Sequence, residues 1–233
     1  MSDQIPSIQI PFKATSNNDL ASVDWTKSES EMILPFGAFN YTNKSSNSNS
    51  ASIERKVKEI KDKLKPGVPK VSDEFLEKVV LLAADIKCNP EDLLAIMYQE
   101  SAGWNPAITS KDKNGRILYG GIIQMNPTSL KTVTEKYSKE LRLKKNISMK
   151  EYLKLPREKQ LDYAKGYFIM LKDTCNLENK AHLSAGETWG MLKSPKQTKA
   201  RNQRFLKSLN NYVNKIKSKI FDDTKKKHIN IKN

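Results

Sequence analysis

The sequence predicts a mainly α-helical fold with one small hairpin, between an irregular N-terminal arm and a basic C-terminal helix. Three observations lead to this prediction. Apolar residues recur at helical spacing through most of residues 53–220, and prolines and capping side chains divide that pattern into separate helices. No alternation of strand and helix patterns and no internal repeat is present. The 233 residues therefore predict an arm and linker (1–50), a helical domain (51–195) and a basic helix and tail (196–233).

Composition excludes several classes of protein. The longest apolar run, Val79–Ala84, is far shorter than the ~20 residues of a transmembrane helix, so a membrane-spanning protein is excluded. The first residues contain neither a basic nor an apolar region, so we expect no signal peptide and synthesis in the cytoplasm. The net charge is +15, from 41 basic and 26 acidic residues. This excess favours a polyanionic partner such as nucleic acid, an anionic cell wall or a membrane surface.

The first fifty residues differ from the rest of the chain. Prolines and scattered aromatic side chains (Phe12, Trp25, Phe36, Phe39) occur in residues 1–40 without a sustained period. Residues 41–52 are almost entirely polar, as in a flexible linker. We therefore expect an irregular arm, a linker and a domain boundary near residue 50.

The helical domain is predicted element by element. Residues 53–64 form a first helix that Pro66-Gly67 ends, and Ser72 caps a second, buried helix that extends to Ile86. Asn89-Pro90 begins a third helix ending at Glu100. The helical period is lost between 101 and 124, where Asn114-Gly115 indicates a hairpin turn. Further helices are predicted at 128–142, 149–155, 157–172 and from Ser184 to Pro195, two of them behind capping boxes.

The last predicted helix, 198–220, has an apolar stripe on one side and lysines on the other. Residues 193–233 contain thirteen basic and two acidic side chains. Such a helix fits an anionic membrane, a teichoic acid or nucleic acid, and it also fits a helix that packs its apolar stripe back on the domain. The pattern by itself leaves these alternatives open.

Cysteine and histidine usage argues against metal and thiol chemistry. Cys88 and Cys175 are too few for a disulfide framework, and His182 and His228 form no cluster with zinc-ligand spacing. We expect two small buried thiols, with a single disulfide as the less favoured alternative. No metal and no cofactor is predicted.

Glu100 is the most unusual carboxylate in the sequence. Leu93, Ile96 and Met97 precede it by seven, four and three residues, so its side chain lies on the apolar face of its helix. It also lies in the last turn, where the helix dipole disfavours a negative charge. The position therefore favours a protonated acid and a functional role. A partly exposed glutamate at a frayed end, or one paired with a nearby lysine, remains the alternative.

The motifs around Glu100 resemble those of the soluble lytic transglycosylase and goose-type lysozyme family. The resemblance lies in Glu100-Ser101 at a helix end, in Asn105-Pro106-Ala107 with Ser110, and in the segment Gly121 to Thr128 that contains Gln124. It covers about residues 72–195, and Gln160 to Tyr163 with Tyr167 also belongs to it. The sequence departs from the family pattern in an insertion at 111–119 and in Asn126. The family's Ala-Tyr-Asn motif is absent, and Trp189 or Tyr163 is expected to replace its tyrosine.

The resemblance implies a lysozyme-like fold, typical of phage-borne members, and a peptidoglycan lytic transglycosylase without a cofactor. Glu100 would protonate the oxygen between N-acetylmuramic acid and N-acetylglucosamine, and would then deprotonate the muramoyl C6 hydroxyl to form a 1,6-anhydro ring. The glycan would be bound by the side chains Ser101, Ser110, Tyr119, Gln124, Met125, Tyr163 and Trp189.

Two other functions stay open. A lysozyme-type hydrolase would need a second carboxylate, for which the candidates are Asp112, Asp162 and Glu187, each with a plain structural explanation. An inactive virion or nucleic-acid-binding protein would use the basic helix instead. Without an export signal, an enzyme acting on the cell wall or in the periplasm would arrive with a phage particle, through a membrane lesion or by a secretion machine. Residues 1–50 would then be the docking segment.

Overall fold

The computed structural model describes residues 47–222 and residue 224, all of which belong to one compact unit. The predicted arm, residues 1–46, lies outside the described residues, as do residues 223 and 225–233. The elements in chain order are α1 (Asn47–Lys63), α2 (Asp73–Ile86), α3 (Pro90–Glu100), β1 (Thr109–Lys111), β2 (Ile117–Gly120), α4 (Pro127–Tyr137), α5 (Met149–Tyr152), α6 (Arg157–Thr174), α7 (Ala185–Lys193), α8 (Pro195–Lys199) and α9 (Gln203–Ile220). The prediction of a mainly α-helical fold with one hairpin is confirmed.

Helix α3 is the most deeply buried part of the core. Five consecutive residues, from Leu93 to Met97, are fully buried, because α3 contacts α2 on one side and α7 and α9 on the other. Helix α6 packs against α2 and α4. A helix that is covered on several sides holds its last residue in a fixed position, and that residue is Glu100.

Local signals in the sequence set the helix starts. Ser72, Asn89 and Asn126 each accept a hydrogen bond from a backbone N–H in the first turn that follows. Ser148 with Glu151 and Ser184 with Glu187 form complete capping boxes. These starts could be predicted because every partner lies within three residues of its cap.

Helix boundaries differ from the prediction in four places. Helix α1 begins at Asn47, so the linker expected at 41–52 is wrong for its last six residues. Helices α4 and α5 are shorter than expected. The helix expected at 198–220 is two helices, because Arg201 adopts a left-handed φ of 51° and the Asn202 side chain caps α9.

The hairpin joins β1 to β2 antiparallel, with Ser110 opposite Tyr119. The Asp112 carboxylate accepts hydrogen bonds from the backbone N–H groups of Asn114 and Arg116 and from the Arg116 side chain. Gly115 follows with a φ of 78°. The inserted loop is therefore stabilised by its own turn chemistry.

Helix α9 packs its apolar stripe into the same core as the rest of the domain. Val213, Ile216 and Ile220 are at most 2% exposed, and Lys217 forms an ion pair with Asp92 of α3 at 2.7 Å. Of the alternatives for this helix, the packed one is observed, so the stripe is covered by protein. In the part of the chain that is described, no helix combines the length and apolarity that crossing a bilayer requires.

Both cysteines are free and buried, as predicted. Burial raises the pKa of the Cys88 thiol and of the Cys175 thiol to about 12. At neutral pH both are therefore protonated and unreactive, in agreement with a packing role.

Candidate functional site

Glu100 ends α3 with its carboxylate almost entirely enclosed, the side chain being 6% exposed. The Trp189 indole N–H donates a hydrogen bond to Oε1 at 2.5 Å. The Lys193 ammonium lies 2.8 Å from Oε1 and 3.1 Å from Oε2. The carboxylate thus accepts from one neutral and one charged donor, as a buried ionised acid requires. Of the alternatives for Glu100, the pairing with a nearby lysine is therefore observed, whereas an exposed position at a frayed helix end is not.

Helix α7 supplies both donors from one of its faces. Trp189 and Lys193 are four residues apart, so they are neighbours on the helix surface, and the Lys193 nitrogen lies 5.6 Å from the centre of the Trp189 ring. Tyr212 of α9 packs against Trp189, with 5.3 Å between the ring centres. The indole is therefore fixed between two helices and has little freedom to turn away from Glu100.

Tyr167 of α6 and Tyr119 of β2 belong to the same neighbourhood. Burial raises the pKa of Tyr167 to about 12; a hydrogen bond with Ser129 opposes this shift, and the charges of Tyr119 and Glu100 add to it. Tyr167 is consequently a neutral hydroxyl at neutral pH. Helix α6 also contacts α7, the helix that carries Trp189 and Lys193. We call Glu100, Tyr119, Tyr167, Trp189 and Lys193 the candidate site.

The chain leaves Glu100 through a tight turn. Ala102, Gly103 and Trp104 all have left-handed φ values, of 48°, 93° and 61°. Two of these residues carry a Cβ atom, so the turn is strained unless tertiary contacts hold it. Trp104 supplies such a contact, because its side chain is buried and its indole N–H donates to the Leu94 carbonyl at 2.9 Å.

Gln124 lies on a second turn with unusual backbone geometry. Its φ is 52°, and Gly121 three residues earlier has a φ of 80°. The Gln124 side chain donates to the Gly121 carbonyl at 3.1 Å and accepts from the Ser110 hydroxyl at 3.1 Å. The amide therefore joins this turn to β1, and Ser110 is exposed beside it.

Gln160 of α6 is a fully buried glutamine that ties together three segments. Its side-chain oxygen accepts from the Ile122 backbone N–H at 3.0 Å. Its amide nitrogen donates to carbonyls at 2.9 to 3.3 Å, those of Pro106, Tyr152 and Leu155. Gln160 thus fixes both loops that flank the hairpin, which makes it a positioning residue for the candidate site.

Four of the residues expected to bind a glycan are instead inside the protein, one of them being Trp189, which is 4% exposed. Ser101 is fully buried and its hydroxyl donates to the Met97 carbonyl at 2.6 Å, and Met125 is fully buried as well. Tyr163 is 5% exposed, packs against Tyr152 and accepts a hydrogen bond from the Lys144 N–H at 3.3 Å. These side chains support the loops and present no surface to a ligand. Of the two aromatic candidates, Trp189 is the one that contacts Glu100.

The three candidates for a second carboxylate all have structural roles. Asp112 is held by Arg116, which lowers the pKa of its carboxyl. Asp162 forms an ion pair with Lys78 of α2 at 2.9 Å. Glu187 completes its capping box and pairs with Lys180, which lowers the pKa of its carboxyl against the effect of burial.

The sequence did not identify Lys193 or Tyr167 as members of the candidate site, or Gln160 as its positioning residue. For Lys193 the available signal was its spacing of four residues from Trp189. Gln160 and Tyr167 follow the apolar pattern of α6, where a polar side chain among buried neighbours indicates a specific partner. Within the described residues, no group of three His, Cys, Asp or Glu side chains is arranged to hold a metal ion.

No known protein-family model matches this chain. Comparison with curated proteins found no significant match, and comparison with solved structures found none either.

Proposed function

We propose that the protein is a peptidoglycan lytic transglycosylase with a lysozyme-like fold, and that Glu100 is its acid and base. The observation that supports this most directly is a single enclosed carboxylate at the end of a buried helix, fixed by Trp189 and Lys193. The order of the Glu-Ser, Asn-Pro and Gly-x-x-Gln motifs along the chain supports the same proposal. One carboxylate suffices for this reaction because the nucleophile is a hydroxyl of the substrate and no water is consumed.

In the proposed reaction the glycan displaces the Lys193 ammonium and Glu100 takes up a proton from solvent. Glu100 then donates this proton to the glycosidic oxygen as the bond to the muramoyl C1 breaks. Glu100 is then a carboxylate and accepts the proton of the C6 hydroxyl, whose oxygen bonds to C1 and closes the 1,6-anhydro ring. Glu100 thus ends with a proton as it began, the leaving oxygen keeps the first proton as a hydroxyl, and the C6 oxygen exchanges its proton for the bond to C1, so no co-reactant is needed. Trp189, whose indole N–H donates to Oε1, stabilises the ionised form of Glu100 that exists between the two steps.

Lys193 also controls access to the carboxylate. Glu100 is almost fully enclosed, whereas the Lys193 side chain is 32% exposed. A glycan oxygen reaches Glu100 only after the ammonium has moved, since both compete for the same carboxylate oxygens. Substrate binding and release of the Lys193 ion pair are therefore coupled in this proposal.

Mass spectrometry of digested, purified peptidoglycan tests the proposed function. Wild type is expected to release fragments with anhydromuramoyl ends, and Glu100→Gln is expected to release none. Glu74→Gln, the same chemical change at an exposed position of α2, is the matched control and should behave as wild type. Reducing ends that contain one added water would instead establish a hydrolase, to be pursued with Asp112→Asn, Asp162→Asn and Glu187→Gln. Release of no fragments by the folded wild-type protein would refute both enzymatic proposals.

The place of action follows from this proposal. The substrate is in the cell wall, so the protein acts there or in the periplasm. We propose that residues 1–50 dock on a phage particle or a secretion machine. Removing residues 1–46 should abolish incorporation into such an assembly without changing the cleavage of isolated wall. Loss of cleavage by this truncated protein would contradict the division of roles.

A further inference from the structure

We propose that the exposed side of α8 and α9 binds a linear phosphodiester polymer attached to the cell wall, in addition to the glycan. This inference rests on the proposed function for the choice of polymer. We call the surface the cationic face and define it by its side chains Lys196, Lys199, Arg201, Arg204, Lys207, Lys215 and Lys219, all of which are exposed.

The charge of the cationic face is of one sign. Residues 188–221 contain nine basic and no acidic side chains. Among the residues that the structure describes, no carboxylate lies within ion-pair distance of any side chain of the cationic face. Elsewhere lysines commonly lie beside acids, as in the pairs Lys61–Asp73, Lys78–Asp162, Lys144–Glu151 and Lys165–Asp85. The local excess is therefore a property of this face and not of the whole surface.

The geometry of α9 arranges these charges in a row. Arg204, Lys207, Lys215 and Lys219 are separated by three, eight and four residues, spacings that return to the same side of a helix. At 1.5 Å per residue the row is about 22 Å long. A row of this length matches an extended polymer with regularly repeated negative charges better than it matches a single small anion.

The buried side of α9 argues against a lipid bilayer as the partner. An amphipathic helix binds a membrane by inserting its apolar side between lipids. Here that side is packed in the core, with Val213, Ile216 and Ile220 almost completely buried. Only the charged side remains for a partner, so the attraction is electrostatic.

The aromatic residues of α9 argue against single-stranded nucleic acid. Proteins that bind single strands stack bases on exposed aromatic rings. Tyr212 instead packs on Trp189, and Phe221 just beyond α9 is buried; Phe205 is only partly exposed. Because Trp189 also binds Glu100, the cationic face shares the α7–α9 pair with the candidate site. A polymer carried by the wall would therefore hold the glycan near Glu100.

The test compares binding by the full-length protein to three matched probes. These are a labelled poly(glycerol phosphate) chain, a single-stranded DNA and a duplex DNA of equal phosphate number; vesicles of anionic lipid are a fourth probe. The variant Arg204→Gln/Lys207→Gln/Lys215→Gln/Lys219→Gln removes the row. The control Lys131→Gln/Lys136→Gln/Lys145→Gln/Lys150→Gln changes the net charge equally at exposed positions on other elements. We expect the row variant to bind poly(glycerol phosphate) about 10- to 100-fold more weakly at 0.1 M salt, with a shallower salt dependence, and the control to bind as wild type.

Three outcomes would overturn the inference. Equal losses in the row variant and in the control would show that net charge and not the cationic face determines binding. Tighter binding to either DNA would assign the face to nucleic acid, and tighter binding to vesicles of anionic lipid would assign it to a membrane.

Cleavage of peptidoglycan from which the phosphodiester polymer has been removed distinguishes this inference from the proposed function. The row variant should cleave such material as well as wild type does. Absence of cleavage with polymer binding intact would refute only the enzymatic proposal, whereas cleavage without specific polymer binding would refute only the cationic face.

Discussion

Adding a single methyl group at Gly121 should destabilise the protein far more than the same change at Gly115. Both glycines have left-handed backbones, with φ values of 80° and 78°. An alanine in this region costs about 1 to 2 kcal/mol at either position. The two sites therefore share the backbone cost and differ only in the space around the new Cβ atom.

That space is very different at the two positions. A Cβ at Gly115 has no heavy atom within 4 Å, whereas one at Gly121 would lie 2.6 Å from Gln160 Oε1 and 2.6 Å from Tyr152 Cε1. Neither neighbour moves easily, because both residues are fully buried and Gln160 is held by four hydrogen bonds. Overpacking of a core costs about 1 to 3 kcal/mol. We expect Gly121→Ala to lower the free energy of unfolding by about 2 kcal/mol more than Gly115→Ala does.

Thermal unfolding followed by circular dichroism measures this difference. For a domain of this size about 1 kcal/mol corresponds to 2 to 4 °C in Tm, so the two variants should differ by about 4 to 8 °C. Equal Tm values for Gly121→Ala and Gly115→Ala would refute the close packing of Gln160 and Tyr152 against Gly121. A large loss in Gly115→Ala would refute the reasoning about open space in the hairpin turn.

Three further predictions concern buried and charged groups. Gln160→Leu should lower the free energy of unfolding in urea by about 2 to 4 kcal/mol, because it leaves buried backbone groups without partners. Gln203→Leu at an exposed position is the control. Equal losses in the two variants would contradict the role assigned to the Gln160 hydrogen bonds. The ion pair with Lys63 is the largest cause that lowers the pKa of Glu59 from 4.5 to about 2. The stability from this pair is therefore complete above pH 4.5 and is lost as the pH falls through about 2. The urea midpoint of Glu59→Gln should accordingly fall less than that of wild type over this range, and parallel curves would oppose the assignment. Burial raises the pKa of both thiols to about 12. Iodoacetamide at pH 8 should therefore label Cys88 and Cys175 much more slowly in the native protein than in the unfolded protein. Labelling at equal rates would be inconsistent with their burial.

The separate elements of the fold could be predicted because their causes are local. A cap such as Ser72 and its partner N–H are three residues apart, and the Asp112 turn is likewise complete within five residues. Where the prediction was wrong, the cause was also backbone geometry that the side-chain pattern does not record. The left-handed φ of Arg201, for example, separates α8 from α9 within a span that was predicted as one helix.

The residues of the candidate site likewise differ in how far the sequence could predict their roles. Glu100 stands out in the sequence because it combines an apolar helix face with a helix end. Ser101, Met125 and Tyr163 come from the same motifs, yet they are buried supports, because a linear pattern does not say which side of a turn faces solvent. Asp162 was a candidate catalytic group until the structure placed it beside Lys78 of another helix.

By itself the sequence determined the helical class, most helix starts, the free buried thiols and the strong positive charge of the C-terminal segment. Only the tertiary structure decided that Lys193, 93 residues from Glu100, neutralises that carboxylate. It also decided that α9 turns its apolar stripe into the core and leaves its cations in solvent. The physical reason is that capping and periodicity act within a few residues, whereas ion pairing and burial depend on which distant helices pack together.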